Sequence, residues 1–256
     1  MSRFLDVGTS LIASTLRGWR GTMSSHPVKE QPEQPLQLYD IEACPYCRLV
    51  REALTELDLD AMIYPCPKGG TRFRPVAKKL GGKQQFPFLI DPNTGTSLYE
   101  SADIIRYLAE TYGGRGRRAR GVRRALAVGS SMLSSSLRQP GRLRGMRARP
   151  STAPAKPLEL FSFESSPFSR LAREVLCELE LPYFLHNTGK ARWQDLGPPE
   201  MRERLSRGLS TAGRNRLALE ARTGQVQVPY LIDPNTGVEM FESADIIAYL
   251  NKTYAA

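Results

Sequence analysis

The most reactive side chains in the sequence lie within four residues, Cys44-Pro45-Tyr46-Cys47. Proline suits the first position of a helix, so Pro45 marks a helix start and puts Cys44 at its N-terminal end. Unpaired N–H groups and the helix dipole there favour negative charge, which lowers the pKa of a thiol. Cys47 follows one turn later, close enough to close a disulfide with Cys44. Redox thiols are the first reading; a structural disulfide and half of a metal site are the alternatives. A second motif, Ser166-Pro167-Phe168-Ser169, repeats the pattern with hydroxyls. Hydroxyls cannot exchange disulfides, and on its residues alone Ser166 reads as a helix N-cap. Cys66 reads as a strand-end residue and Cys177 as a small buried apolar one.

Other chemistries have little to build on. The two histidines, His26 and His186, are far apart and lack acidic or thiol neighbours at ligand spacing, so neither a histidine-based metal site nor a serine–histidine triad is expected. No metal is expected. No apolar run approaches the roughly 18 residues that span a bilayer. The 36 Lys+Arg and 26 Asp+Glu give a net charge of +10, but it is localised. Between Gly113 and Pro157 lie eleven arginines and Lys156 with no acid, +12 in all, which leaves −2 for the rest. Without interleaved aromatics this segment is a poor single-strand nucleic-acid binder. It reads as a solvated linker with a short helix near 123–137, open to an anionic partner such as lipid, acidic protein or RNA backbone.

The elements that must position the thiols are written twice. Phe86 to Tyr112 returns at Val228 to Tyr254, offset by 142, with 18 of 27 positions identical. Leu36 to Leu59 matches Leu158 to Leu181 at an offset of 122, and Val7 to Gly21 is echoed from Val128. An echo in mid-chain argues that the first segment is an amphipathic helix, with Phe4, Val7, Leu11 and Leu16 on or near one face, rather than a cleaved leader. Each copy then reads strand, helix, strand, helix, two strands around Asp-Pro-Asn-Thr-Gly, and a closing helix capped by Ser101 in the first copy. The second copy has about twenty extra residues and a longer helical stretch near 199–221. The expected division is 1–115 with a core at 36–112, a linker at 116–157, and 158–256.

This order, with a CxxC at the first strand-to-helix junction, resembles the thioredoxin superfamily, specifically glutaredoxins and the N-terminal domain of glutathione transferases. The resemblance implies an α/β protein of two tandem thioredoxin-like (βαβαββα) domains, each preceded by an amphipathic helix. Neither copy is followed by the all-helical domain that completes a glutathione transferase. It further implies glutathione as co-substrate and Cys44 and Cys47 as catalytic thiols acting on small or protein disulfides. A cis-proline is implied at Phe86-Pro87 and Val228-Pro229, its preceding backbone pairing with the cysteinyl part of glutathione. Glu100-Ser101 and Glu242-Ser243 would hold the γ-glutamyl end, and Arg72, Arg74 or Lys83 the glycyl carboxylate. In several transferase classes a serine placed like Ser166 hydrogen-bonds the glutathione thiolate, which opens conjugation as an alternative activity. A shared iron–sulfur cluster and a non-catalytic glutathione-responsive scaffold are the others. A cytoplasmic location is expected; Trp19 and Trp193 have no assignable role.

Overall fold

In the first repeat, Leu36 and Leu38 alternate with Gln37 and Tyr39, so successive side chains face opposite sides of a sheet. The computed structural model describes residues 3–16, 18–113, 129, 131, 144–196, 204–205 and 209–256. After helix α1 (Arg3–Leu16), the first copy runs β1 (Leu36–Asp40), α2 (Pro45–Glu56), β2 (Ala61–Pro65), α3 (Arg74–Gly81), β3 (Phe88–Asp91), β4 (Thr96–Tyr99) and α4 (Ser101–Thr111). The second runs β5 (Leu158–Ser162), α5 (Pro167–Glu178), β6 (Tyr183–Asn187), α6 (Arg214–Thr223), β7 (Tyr230–Asp233), β8 (Val238–Met240) and α7 (Ser243–Tyr254). Each copy is βαβαββα, the expected thioredoxin-like order. Of the predicted 123–137 helix only 129 and 131 are described, both helical; of the 199–221 stretch, residues 204–205 and 214–221 are helical.

The two copies share one eight-stranded sheet, ordered β4-β3-β1-β2-β6-β5-β7-β8. The order is a palindrome because β2 pairs antiparallel with β6, its own repeat. Met62 faces its equivalent Phe184, Ala61 faces Leu185 and Ile63 faces Tyr183, so a pseudo-twofold axis passes between the two strands. One continuous core covers a single face of the sheet, joining Leu38, Leu54 and Ile104 to Leu160, Leu176 and Ile246. The opposite face carries two separate clusters, around Phe88 and Ala77 beneath α3 and around Tyr230 and Leu219 beneath α6.

One sequence expectation is described in part and another is corrected. Among the side chains described in α1, the buried ones are Ser10 and Ser14, whereas Leu11 and Ile12 are exposed. Hydroxyls tie the helix down: Ser10 Oγ donates to the Pro167 carbonyl (2.9 Å) and Ser14 Oγ to that of Ser165 (2.8 Å), while of the expected apolar face Val7 is half-buried and the Phe4 and Leu16 side chains lie outside those described. Ser101 is the first residue inside α4 rather than its cap. Glu100 holds the cap position with φ +66°, and its carbonyl accepts from the backbone N–H groups of Asp103 and Ile104.

The segments that precede the copies are exchanged. Helix α1 and the strand-like stretch after it lie on the second copy, where Ser165 N donates to Gly21 O and Lys190 N to Thr22 O. The described part of the segment before the second copy reaches the first, where Ala43 N donates to Gly145 O, Lys68 N to Met146 O, and Ser131 Oγ to Pro45 O, before Arg149 N and Thr152 N bond Glu178 O and Tyr254 O of the second.

Candidate functional site

Cys44 is the N-cap of α2, with extended backbone (φ −73°, ψ 124°) and Pro45 directly behind it. It is partly exposed, whereas Cys47, Cys66 and Cys177 are buried, and all four are free thiols. Its pKa is lowered to about 7, first by a hydrogen bond from the Cys47 thiol, against the opposing effect of burial. The N–H groups of Cys47 and Tyr46 and the positive charge of Arg51 act in the same direction. The helix-start N–H groups thus contribute in the expected direction, but the neighbouring Cys47 thiol contributes more. Burial and the Cys44 partner push the Cys47 thiol up, and burial pushes up Cys66 and Cys177. Cys177 is buried as expected but makes polar contacts, accepting from Glu42 N at 3.4 Å and donating to Gly145 O at 3.3 Å.

The peptide bonds Phe86-Pro87 and Val228-Pro229 are both cis. In front of them Gln85 hydrogen-bonds the Glu100 carboxylate, and Gln227 does the same with Glu242. Glu100 and Glu242 have left-handed φ of +66° and +63°, a region that side-chain-bearing residues rarely enter. Ser101 and Ser243, next in sequence, are buried at the starts of α4 and α7. The three candidate cations divide. Arg72 is committed to the second copy, donating to the carbonyls of Leu179 and Ser151 at 3.1 Å. Arg74 donates to Cys66 O (3.0 Å) and lies 4.9 Å from the centre of the Phe86 ring. Lys83 lies 5.7 Å from that of Tyr99.

The equivalent of Cys44 in the second copy is enclosed. Ser166 is 2% exposed, and its Oγ accepts from Ser169 N at 3.2 Å in an N-cap. Contacts from α1 and from Gly21 fall on Ser165 and Pro167, on either side of it. Arg170, one turn along α5, donates to Ser10 O (2.9 Å) and Ser14 Oγ (3.1 Å), which ties α1 down.

Sequence reading missed the buried charge behind both motifs. Glu42 and Glu164, each two residues before a motif, both receive Arg51 and Arg173. Glu42 lies 3.3 Å from Arg51 and 3.1 Å from Arg173, and Glu164 lies 2.9 and 3.0 Å from them. Asp40 also pairs with Arg51. Burial alone would raise the Glu164 pKa, but Arg173, Arg51 and Arg48 hold its carboxyl well below the usual range. Burial outweighs Arg51 at Asp40, whose pKa rises to about 6. The available signal was Arg-x-x-Arg-Glu at 48–52, repeated at 170–174 on helix faces that must be buried.

Among the described residues no cluster of three or more His, Cys, Asp or Glu is placed to hold a metal ion, and no helix is long and apolar enough to cross a membrane.

A family model described as the glutathione S-transferase N-terminal domain matches residues 38–116 and again 160–256. Among solved structures, a delta-class glutathione transferase of Nilaparvata lugens is 32% identical over 31% of this chain and 37% of its own, with a TM-score of 0.26. The trimeric glutathione transferase TDR1 of Leishmania is 14% identical over 88% of this chain and 68% of its own, with a TM-score of 0.28. No curated protein matches the chain.

Proposed function

The chain belongs to the glutathione S-transferase N-terminal domain family, carrying that domain twice, and from this premise we propose that it is a glutathione-dependent thiol–disulfide oxidoreductase working through Cys44. The observation that carries the reading is the contrast among the thiols. Only Cys44 is partly exposed, and its pKa is drawn down to about 7, while burial raises the other three.

Glutathione is the co-substrate this family membership suggests, and the first copy offers a donor set that fits it. The Glu100 carboxylate suits an ammonium, and the helix-start N–H groups at Ser101 suit a carboxylate. Left-handed backbone at a side-chain-bearing residue is the kind of strain that collects at ligand sites, and Glu100 has it. Arg74, packed against Phe86, is the best placed of the three cations for the second carboxylate.

In the proposed reaction the Cys44 thiolate attacks one sulfur of a glutathionylated disulfide. The old S–S bond breaks, its other sulfur leaves as a thiolate and takes a proton from solvent, and Cys44 is left joined to glutathione. A second glutathione thiolate then attacks that adduct, releasing glutathione disulfide and restoring the Cys44 thiolate. Cys47, fully buried with a raised pKa, is a poor attacking thiol at neutral pH and serves here as hydrogen-bond donor to Cys44. Ser166 keeps its capping role: its hydroxyl is engaged and its surroundings are closed by α1, which argues against conjugation through that residue.

The test is glutathione-dependent reduction of hydroxyethyl disulfide, a neutral substrate. Cys44→Ser is expected to abolish turnover and Ser166→Ala to leave it within about twofold. A wild-type chain without turnover, or a Cys44→Ser variant that keeps it, would refute the assignment.

A further inference from the structure

Of the described residues between the copies, 131 and 144–149 reach the neighbours of Cys44. Two of their hydrogen bonds fall on those neighbours, with Gly145 O accepting from Ala43 N (3.3 Å) and Ser131 Oγ donating to Pro45 O (2.8 Å). From Gly145 the chain runs beside Lys68, whose N–H and carbonyl bond Met146 O and Ala148 N. Lys68 follows Pro67, and Arg74 bonds the carbonyls of Cys66 and Pro67 before lying against Phe86. A continuous line of contacts therefore links Ser131 and Cys44 to the cis-proline, and Arg144, Arg147, Lys68 and Arg74 occur along it.

Lys68 and Arg147 are exposed, and main-chain contacts pair them as neighbours. The nearby acid Glu42 is buried and engaged by Arg51 and Arg173. Glu100, hydrogen-bonded by Gln85, is the exposed acid on the cis-proline side. Glu178, half-buried beside Gly145, accepts from Gly145 N and pairs with Arg149 (2.9 Å), so among the described residues the exposed charge there is that of Lys68 and Arg147, and clefts lined by one sign of charge concentrate the opposite one.

We infer that residues 144–149 before the second copy, together with Lys68, are a specificity element of the first copy's site, selecting carboxylate-bearing disulfides over neutral or cationic ones. The inference deepens the proposed function and rests on the same thiol. Anionic reagents are drawn to the rim formed by Lys68 and Arg147 and meet the Cys44 thiolate despite its own negative charge.

The test uses the full chain and compares alkylation of Cys44 by iodoacetate, an anion, with that by iodoacetamide, which is neutral, followed by mass analysis of the Cys44 peptide. In both, the thiolate displaces iodide and forms a thioether. The expected wild-type ratio of the two rates exceeds that of a free cysteine peptide by about fivefold or more at low ionic strength and falls as salt is added. In Lys68→Glu/Arg147→Glu, two exposed positions, the ratio drops to or below the peptide's while the iodoacetamide rate changes less than about twofold. A ratio that this variant leaves unchanged, or a wild-type ratio equal to the peptide's, would overturn the inference. Alkylation needs no glutathione, so selectivity without turnover of hydroxyethyl disulfide would count against the oxidoreductase reading alone.

Discussion

At the scale of single residues, the two motifs show how one backbone frame serves different chemistry. The frame repeats: an extended N-cap, a proline inside the helix, a buried residue one turn on. Sulfur at 44 and 47 gives a donor–acceptor thiol pair, whereas oxygen at 166 turns to the nearest N–H of its own helix. The Cys47 thiol is the largest influence lowering the Cys44 pKa, so Cys47→Ala is expected to move the midpoint of Cys44 alkylation from about 7 toward the ordinary thiol value of about 8.5. The thiolate fraction at pH 7 then falls, and alkylation slows. An unmoved midpoint in a pH titration would show that N–H groups and Arg51 suffice. The place of Cys44 at a helix start was legible because Pro45 marks it locally. The enclosure of Ser166 was not, since residues more than 140 positions earlier produce it.

Among the elements, each hairpin is fastened to its closing helix by one aspartate. Asp91 accepts from Tyr107 and Tyr112 (both 2.6 Å) and from Asn93, and Asp233 does the same with Tyr249, Tyr254 and Asn235. Burial would raise both carboxyl pKa values, but these donors outweigh it and depress them. A depressed pKa means the folded state holds the proton less tightly than the unfolded chain. The stabilisation is therefore complete above the ordinary aspartate value of about 4 and is lost as pH falls below it. Asp91→Asn/Asp233→Asn should lower the melting temperature at pH 7 and flatten its acid-side decline; parallel curves for variant and wild type would exclude this coupling. The Asp-Pro-Asn-Thr-Gly turns and most strand and helix positions could be read from turn residues and period. The aspartate's real partners lie 16 and 21 residues onward, and only the repeat of Tyr-x4-Tyr hinted at them.

Over the whole molecule, the two copies share one sheet and one core. The core is continuous across the axis, and Glu42, Glu164, Arg51 and Arg173 form the centre of a buried set in which each acid meets both arginines, with Asp40 and Arg48 at its margins. Such sets add little net stability but are costly to break, because the surviving charge is left buried. Glu164→Gln is expected to cost about 3–5 kcal/mol in chemical denaturation. Both variant and wild type should unfold in a single transition, and two separated transitions would mean the copies fold independently. The repeat made two domains evident, and its composition placed the basic charge in one stretch. Which surfaces would meet was hidden: arginines in a helix ordinarily face solvent, and hydroxyl-to-carbonyl contacts such as Ser10 with Pro167 leave no periodic trace.

The exchange of the leading segments makes the repeat boundary in the sequence a poor place to divide the protein. A fragment ending at residue 113 would keep the Cys-Pro-Tyr-Cys motif yet lose Ser131 and Gly145, which bond the neighbours of its first cysteine, while carrying a helix that packs on the absent half. Neither half owns a complete set of parts. Loss of a single copy would strand surfaces that the other covers.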